Sequence, residues 1–264
     1  MIGDIVGSPG LEILEAGLPF LIKERDIDFV IVNGENAAEG FGMTESDFRR
    51  IIAAGADVVT SGNHIWEKRE FWQVLENEKR MLRPANYPAV TATVPNISAA
   101  VPGAGFSLIE KNGVLWLVIN LQGRELISLI DCPFQCFDRI FNAQKDTAVQ
   151  PVVLVDFHAE SSREKEALAY YIDGRASVIA GTHTHVQTAD ERILPKGSAY
   201  ITDLGMTGIT DSVIGMDLKI CQERFNKQVQ YQMKIAASGK QGRINGVIAE
   251  IDADTGKALS IRRI

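Results

Sequence analysis

The sequence has few cysteines, no long hydrophobic segment and no excess of positive charge. Its three cysteines fit neither a disulfide framework nor a zinc knuckle, so we expect reduced thiols. The longest apolar run, around residues 114–119, is far shorter than the roughly 20 residues of a membrane helix. The first residues do not resemble a secretory signal, and we therefore expect a cytoplasmic protein. The net charge of −7 argues against binding of long nucleic acids.

Composition and the order of secondary-structure signals indicate one α/β domain over residues 1–264. The hydrophobic fraction of 45% is typical of globular proteins. Strands predicted at 2–6, 29–33 and 56–60 alternate with helices predicted at 8–26, 44–54 and 67–80, an order that favours parallel pairing. Later, Asn112-Gly113 predicts a hairpin, and helices are expected at 133–144, 162–171 and 217–227. Two sheets facing each other with helices outside would accommodate this order.

The ends of five predicted strands carry side chains that bind metal ions. In open α/β sheets, ligands gather outside the carboxyl ends of the strands, so these side chains are expected to meet. Histidine used as core filling would instead scatter among helices and loops. The residues at these strand ends are Asp4, Glu35, Asn36, Asn63, His64, His158, His183 and His185.

The oxygen donors among them suit a pair of metal ions. Two divalent ions about 3.5–4 Å apart need a bridging carboxylate, ligands for each ion and open positions for water and substrate. Glu35 is the natural bridge, because one carboxylate can give an oxygen to each ion. Asp4 and Asn36 would add oxygen ligands on one side, and Asn63 would add another on the opposite side.

The histidines supply the nitrogen donors. His183 and His185 lie two residues apart, so in extended backbone they project from the same side and can serve neighbouring ions. His158 completes the set. Nitrogen and oxygen ligands without thiolate suit iron, manganese or zinc rather than calcium or copper(I).

Other residues near these motifs have simpler interpretations. Asn36 could cap a turn rather than bind a metal. Phe41 could stack on a nucleobase and Trp66 could line the same mouth, but ordinary packing is the simpler explanation for both. Arg83 and Glu160 lie near the motifs and receive no role from the sequence. The long loop candidate at residues 88–105 is expected to border the site.

Several ordered motifs resemble those of the calcineurin-like metallophosphoesterases. They are Asp4-Ile5-Val6-Gly7, Asn33-Gly34-Glu35-Asn36, Gly62-Asn63-His64, His158 and Gly181-Thr182-His183-Thr184-His185. More narrowly, residues 3–10, 83–86, 120–124 and 181–190 look like the bacterial YmdB-type phosphodiesterases. The resemblance covers nearly the whole chain. Val6 stands where the broader superfamily has histidine and Glu35 replaces its bridging aspartate, two changes that the narrower family shares.

The resemblance implies a four-layer αββα sandwich with mixed sheets and a dinuclear centre, for which we expect iron before manganese or zinc. It also implies hydrolysis of 2′,3′-cyclic nucleotides to 3′-nucleotides, with His64 as proton donor. Family members carry several residues before the segment matching Ile2-Gly3-Asp4, so either the start is misassigned or the first strand is short. The ligands implied for the first ion are Asp4, Glu35, Asn36 and His185, and those for the second are Glu35, Asn63, His158 and His183.

The chemistry expected from such a centre is attack on phosphorus by a hydroxide held between the ions, while His64 protonates the leaving 2′-oxygen. The expected partner is a small cyclic nucleotide or phosphate ester, with no membrane, and the resemblance allows a homo-oligomer. Alternatives stay open: a phosphomonoesterase, a 3′,5′-cyclic nucleotide phosphodiesterase or a nuclease with the same centre, a regulatory protein acting through a partner, or a scaffold whose site has decayed.

Overall fold

The computed structural model describes residues 1–88, 101–144, 149–239 and 241–264, so most of the loop predicted at 88–105 lies outside the described residues. The strands are β1 (Asp4–Ile5), β2 (Ile31–Asn33), β3 (Val58–Thr60), β4 (Phe106–Lys111), β5 (Val114–Gln122), β6 (Val152–His158), β7 (Val178–Thr182), β8 (Arg192–Ile193), β9 (Ala199–Ile201), β10 (Met206–Ile209), β11 (Gly242–Arg243), β12 (Val247–Ile251) and β13 (Ala258–Arg263). The α-helices are α1 (Gly7–Arg25), α2 (Glu45–Ala53), α3 (Trp72–Asn77), α4 (Pro133–Ala143), α5 (Ser162–Ile172) and α6 (Leu218–Lys227).

The largest sheet has the strand order β4-β5-β6-β7-β9-β8. Its inner strands run parallel, and the edge strands β4 and β8 pair antiparallel with their neighbours. The strands β2 and β3 pair in parallel, as predicted. The predicted first strand is divided: Ile2 and Val6 form parallel bridges to Val32 and Asn36 beside β2, and β1 between them also pairs in parallel with β10. The mixed α/β class is therefore confirmed.

The prediction of one helix over residues 67–80 is wrong. Short 3₁₀ turns at Asn63–Trp66 and Arg69–Phe71 precede the six-residue helix α3. The break occurs because Lys68 has an extended backbone, with φ −109° and ψ 98°, between the two turns. The backbone N–H of His64 also donates to the carboxylate of Glu35, which ties the first turn to the end of β2.

The apolar residues of β6 alternate between two cores. Val153, Val155 and Phe157 pack in a cluster with residues of α4 and α5. Val152 and Leu154 pack instead in a cluster that contains Ile31 of β2 and Val58 of β3. Because side chains alternate along a strand, Asp156 and His158 follow Leu154 on this second side, between the two groups of strands. The strand period thus places two buried polar residues at the end of an apolar layer.

The cysteines and the membrane prediction agree with this structure. All three cysteines, Cys132, Cys136 and Cys221, are free thiols, as predicted. Among the described residues, no helix combines the length and the apolar character needed to cross a membrane.

A buried ion pair joins α5 to the segment after β9. Lys165 Nζ lies 2.7 Å from Asp203 Oδ2, and both side chains are 1% exposed. Asp203 also accepts hydrogen bonds from the backbone N–H groups of Thr184 and Gly205. In turn, the carbonyl of Gly205 accepts from the N–H of Asp4. This ion pair therefore supports two of the strand ends that the sequence assigns to the metal site.

Replacing Lys165 by methionine should lower the free energy of unfolding by about 3–5 kcal/mol, because Asp203 would stay buried without its cation. The matched control is Lys111→Met, whose partner Asp57 lies in a more exposed pair. That variant should lose at most about 1 kcal/mol. Urea unfolding of both variants and wild type, all without metal, measures the difference. Equal losses in the two variants would contradict this account.

Candidate metal centre

The seven predicted ligands converge at the carboxyl ends of neighbouring strands. Asp4 begins β1, whereas the other six end or follow strands, and four of the seven are buried, namely Asp4, Glu35, Asn36 and His158. Ligand atoms of Glu35, His158 and His183 lie within 4.8 Å of one another. The strand-end pattern therefore brings together residues from distant parts of the chain, with Asp4 near its start and His183 179 positions later.

Three side chains surround the Nε2 atom of His158. This atom lies 2.9 Å from Glu35 Oε1, 3.2 Å from Asn63 Oδ1 and 3.0 Å from His183 Nδ1. Two imidazole nitrogens thus face each other at this distance, next to a carboxylate oxygen and an amide oxygen. One cation bound among these four atoms would satisfy all of them. These four residues are the ones that the resemblance implies for the second ion.

The remaining ligands lie on the other side of Glu35. Asn36 Nδ2 is 3.0 Å from His185 Nε2 and 3.4 Å from Glu35 Oε1. Asp4 Oδ2 accepts from the backbone N–H of His183 at 3.2 Å. The other oxygen of Asp4 and the amide oxygen of Asn36 are buried and have no hydrogen-bond partner. Unpartnered buried oxygens are rare in proteins and fit a bound cation, so the residues present suit the implied metal pair.

The prediction of extended backbone at His183 and His185 is wrong, because β7 ends at Thr182 and both histidines have positive φ. His183 has φ +103° and His185 has φ +64°, values that residues with a side chain seldom adopt. The N–H of Thr184 between them donates to buried Asp203. His185 Nδ1 lies 2.9 Å from the carbonyl of Ile214, which can only accept, so Nδ1 carries the proton and Nε2 presents its lone pair toward Asn36.

Burial and close charges shift the pKa values of the buried groups. Burial disfavours the charged form of His158, but Glu35 and then Asp4 outweigh it and raise the pKa of His158 to about 9. Burial acts to raise the pKa of Glu35, yet His158 lowers that pKa to about 2. Burial raises the pKa of Asp4 to about 6, and burial with the charge of His158 lowers the pKa of His183 to about 3. Without metal, one proton is therefore held on His158 beside Glu35.

His64 lies beside this group without joining it. Its backbone N–H donates to Glu35 Oε2 at 3.2 Å, while its side chain is 28% exposed with Nδ1 3.5 Å from Glu67 Oε1. Half-exposed Phe41 meets the imidazole edge to face at 5.0 Å between ring centres. The ring is accessible at the rim, which suits a group that exchanges protons with a bound molecule.

The residues without an assigned role divide into two groups. Trp66 packs against Trp72 and Tyr87, and Arg83 donates to the carbonyl of Pro84, so both serve packing and loop structure. Glu160, by contrast, has Oε2 3.1 Å from His183 Nε2 and thus contacts a predicted ligand.

Sequence reasoning missed a set of buried polar residues beneath the centre. The carboxylate of Asp156 accepts from Thr60 Oγ1 at 2.5 Å, Thr182 Oγ1 at 2.7 Å and Asn33 Nδ2 at 3.0 Å. Thr182 Oγ1 in turn lies 2.9 Å from His158 Nδ1. The signal that could have revealed them is a single charged residue inside the apolar strand Val152–His158.

Position 62 has no room for a side chain, because it lies between two of the predicted ligands. A Cβ atom at this position would collide with His158 Nε2 and with Glu35 Oε2, two atoms at the middle of the centre. The glycine in the segment Gly62-Asn63-His64 thus lets the backbone approach the ligand side chains.

Gly62→Ala should weaken metal binding at least about tenfold, because its methyl group displaces ligand atoms that must be held in place. The matched control is Gly208→Ala, whose added Cβ would meet Val6 Cβ at an ordinary 3.6 Å. Competition with a chromophoric chelator measures the affinity of each variant for Zn²⁺. Wild-type affinity in Gly62→Ala would refute the placement of the centre.

Metal binding should release close to one proton per chain from His158 at about pH 7.5. In the folded metal-free protein the pKa of His158 is about 9, above its ordinary value of 6.5. His158 therefore carries a proton between these pH values, and this proton must leave when Nε2 binds a cation. Affinity should therefore rise with pH up to about 9, where the release ends. Calorimetric titration in buffers of different ionisation enthalpy counts the protons. His158→Gln should lack this release, and a release independent of pH would contradict the assignment.

Known proteins resemble the chain over its whole length. The family model described as YmdB-like protein matches residues 1–264. A Bacillus subtilis protein named 2′,3′-cyclic-nucleotide 2′-phosphodiesterase is 45% identical over 100% of this chain and 94% of its own length. A hypothetical protein from Thermus thermophilus superposes with a TM-score of 0.86 at 38% identity, covering 100% of this chain and 96% of that chain. A crystal structure described as a novel phosphatase, from Mycoplasma pneumoniae, gives a TM-score of 0.88 at 33% identity, covering 100% of this chain and 90% of that chain.

The family resemblance that the sequence motifs indicated is thus confirmed. The chain belongs to the YmdB-like protein family.

Proposed function

We propose that this protein is a metal-dependent phosphodiesterase that hydrolyses 2′,3′-cyclic nucleotides to 3′-nucleotides. The observation that carries the proposal is the complete set of nitrogen and oxygen donors around Glu35, with His64 accessible at its rim. The name of the 45% identical relative supports this substrate class. A scaffold with a decayed site would have lost ligands, whereas this chain retains all seven.

The proposed ligands would hold two ions, with Glu35 as a ligand that serves both. Asp4, Asn36 and His185 complete the first position, where two buried oxygens lack a partner. Asn63, His158 and His183, which meet at His158 Nε2, would complete the second position. Iron is the first candidate for both ions, with manganese and zinc as alternatives, because the donors are histidine nitrogens with carboxylate and amide oxygens.

Bound ions would supply Lewis acidity and positive charge to a phosphate ester. The remaining chemistry belongs to side chains of the protein. Glu35 holds the backbone of His64 in place through its second carboxylate oxygen, so the imidazole stays next to the centre. From there, the His64 ring is suited to protonate the leaving 2′-oxygen.

We also propose the finer features that the resemblance implies. The whole chain would form one metallophosphoesterase domain with an αββα order of layers. In support, one apolar cluster contains α1 and α2 residues, a second contains α4 and α5 residues, and a third connects the two groups of strands. The net charge of −7 favours a small phosphate ester over long nucleic acid as partner. A cytoplasmic homo-oligomer is the proposed form of the protein.

His64→Ala should lower kcat for 2′,3′-cyclic AMP by about 10²–10⁴-fold, because the leaving 2′-oxygen would lose its proton donor. Metal content should stay at two ions per chain, since His64 contributes only its backbone N–H to the ligand group. Phosphorus NMR identifies the product, expected to be the 3′-phosphate, and elemental analysis counts the ions.

The contrasting variant is His185→Ala, in which a proposed ligand is removed and both metal and activity should be lost together. If the wild-type protein binds two ions but leaves the cyclic ester intact, the substrate assignment is wrong. A panel of phosphomonoesters and 3′,5′-cyclic nucleotides then identifies the ester that the centre cleaves.

A further inference from the structure

We propose that Thr182 and Asp156 are positioning residues that set the tautomer of His158, so that its Nε2 lone pair faces the metal site. This inference rests on the proposed function only in treating His158 as a metal ligand. It concerns residues to which neither the motifs nor the family resemblance assigned a role. The basis for it is the count of donors and acceptors along one chain of hydrogen bonds.

The chain begins at the Asp156 carboxylate, which is 1% exposed and lies between the two groups of strands. Thr60 and Asn33 donate to its Oδ2, and Thr182 donates to its Oδ1. Three donors from three different strands satisfy an ionised carboxylate, which can only accept. Asp156 is therefore held as an acceptor for the hydroxyl proton of Thr182.

The hydroxyl of Thr182 then determines which nitrogen of His158 carries hydrogen. A hydroxyl has one hydrogen, and that of Thr182 is directed to Asp156 at 2.7 Å. Its oxygen, 2.9 Å from His158 Nδ1, can only accept there, so Nδ1 must donate. Asn33 Nδ2, at 3.3 Å, takes the second lone pair of the same oxygen. In the neutral imidazole, Nε2 is then left without hydrogen.

The geometry of the strands keeps this chain in register. His158 and Thr182 are paired residues of β6 and β7, which run parallel in the largest sheet. Nε2 consequently points toward Glu35, Asn63 and His183. A competing acceptor for Nδ1 exists, since Asp4 Oδ1 lies 3.9 Å away, but that distance is beyond a hydrogen bond. Loss of the threonine hydroxyl would leave the ring free to turn toward it.

Asp156 also ties β2 and β3 to β6. If the network served only to hold these strands together, removing either donor to Asp156 would have the same effect on metal affinity. The test therefore compares Thr182→Val, which removes the hydroxyl beside His158, with Thr60→Val, which removes a different donor to the same carboxylate. Thr182→Ser retains the hydroxyl and serves as the conservative variant. Urea unfolding of all three proteins reports what each change costs in stability.

The decisive measurements are Zn²⁺ affinity and the nitrogen that binds it. Thr182→Val should bind Zn²⁺ about 10- to 100-fold more weakly, as when the outer partner of a ligand histidine is removed. Thr60→Val and Thr182→Ser should stay within about threefold of wild type. Long-range ¹H–¹⁵N NMR of the zinc-loaded wild type should show His158 bound through Nε2 and protonated at Nδ1, a pattern that Thr182→Val weakens or mixes.

Equal losses of affinity in Thr182→Val and Thr60→Val, in step with their stability, would overturn the proposal and leave a structural role. Wild-type affinity in Thr182→Val, or His158 bound through Nδ1, would also overturn it. These readouts do not depend on turnover. A wild type that binds zinc through His158 Nε2 but hydrolyses no cyclic nucleotide would refute the proposed function and leave this inference standing.

Discussion

The carboxylate of Asp156 is the polar contact on which the two groups of strands and the candidate centre both depend. It accepts hydrogen bonds from β2, β3 and β7 at the end of an otherwise apolar layer. A buried carboxylate without such donors would cost several kcal/mol, so the surrounding hydroxyls and amide are required for the strands to pack here. Thr182, which donates to Asp156, also contacts His158, so the carboxylate that holds the strands together is linked to a predicted metal ligand.

The centre gathers acidic groups that would repel one another without a cation. Asp4 and Glu35 are both buried, and the ionic contact that relieves them in the metal-free chain is a protonated His158. Protons and the proposed metal ions would thus compete for His158 Nε2 and for the charges of Asp4 and Glu35. The ion pair of Lys165 with Asp203 lies outside this competition and holds the loop of His183 and His185 whether or not a metal is present.

Much of the site could be predicted because its residues follow strands, and a strand end is visible in a sequence as an apolar run before polar residues. The supporting residues could not be predicted in this way. Asp156 lies inside an apolar strand, and its partners Asn33, Thr60 and Thr182 are last residues of strands that the chain brings to it from distant positions, so no local pattern marks them as a network. The continuous helix predicted at 67–80 failed because Lys68 has an extended backbone between two 3₁₀ turns, the first of which is tied to Glu35, 29 residues from His64. Long-range pairing likewise placed β1 beside β10.

The positive φ angles at His183 and His185 have a consequence for the history of such chains. A residue with a side chain held in this region costs about 1–3 kcal/mol, and glycine would relieve that cost at either position. The proposed ligand role accounts for histidine at both positions, because glycine offers no ligand. Drift without selection for catalysis would therefore favour glycine at these two positions first. In a related chain, glycine at the equivalent of His183 or His185 would identify a protein that gained stability after giving up its metal centre.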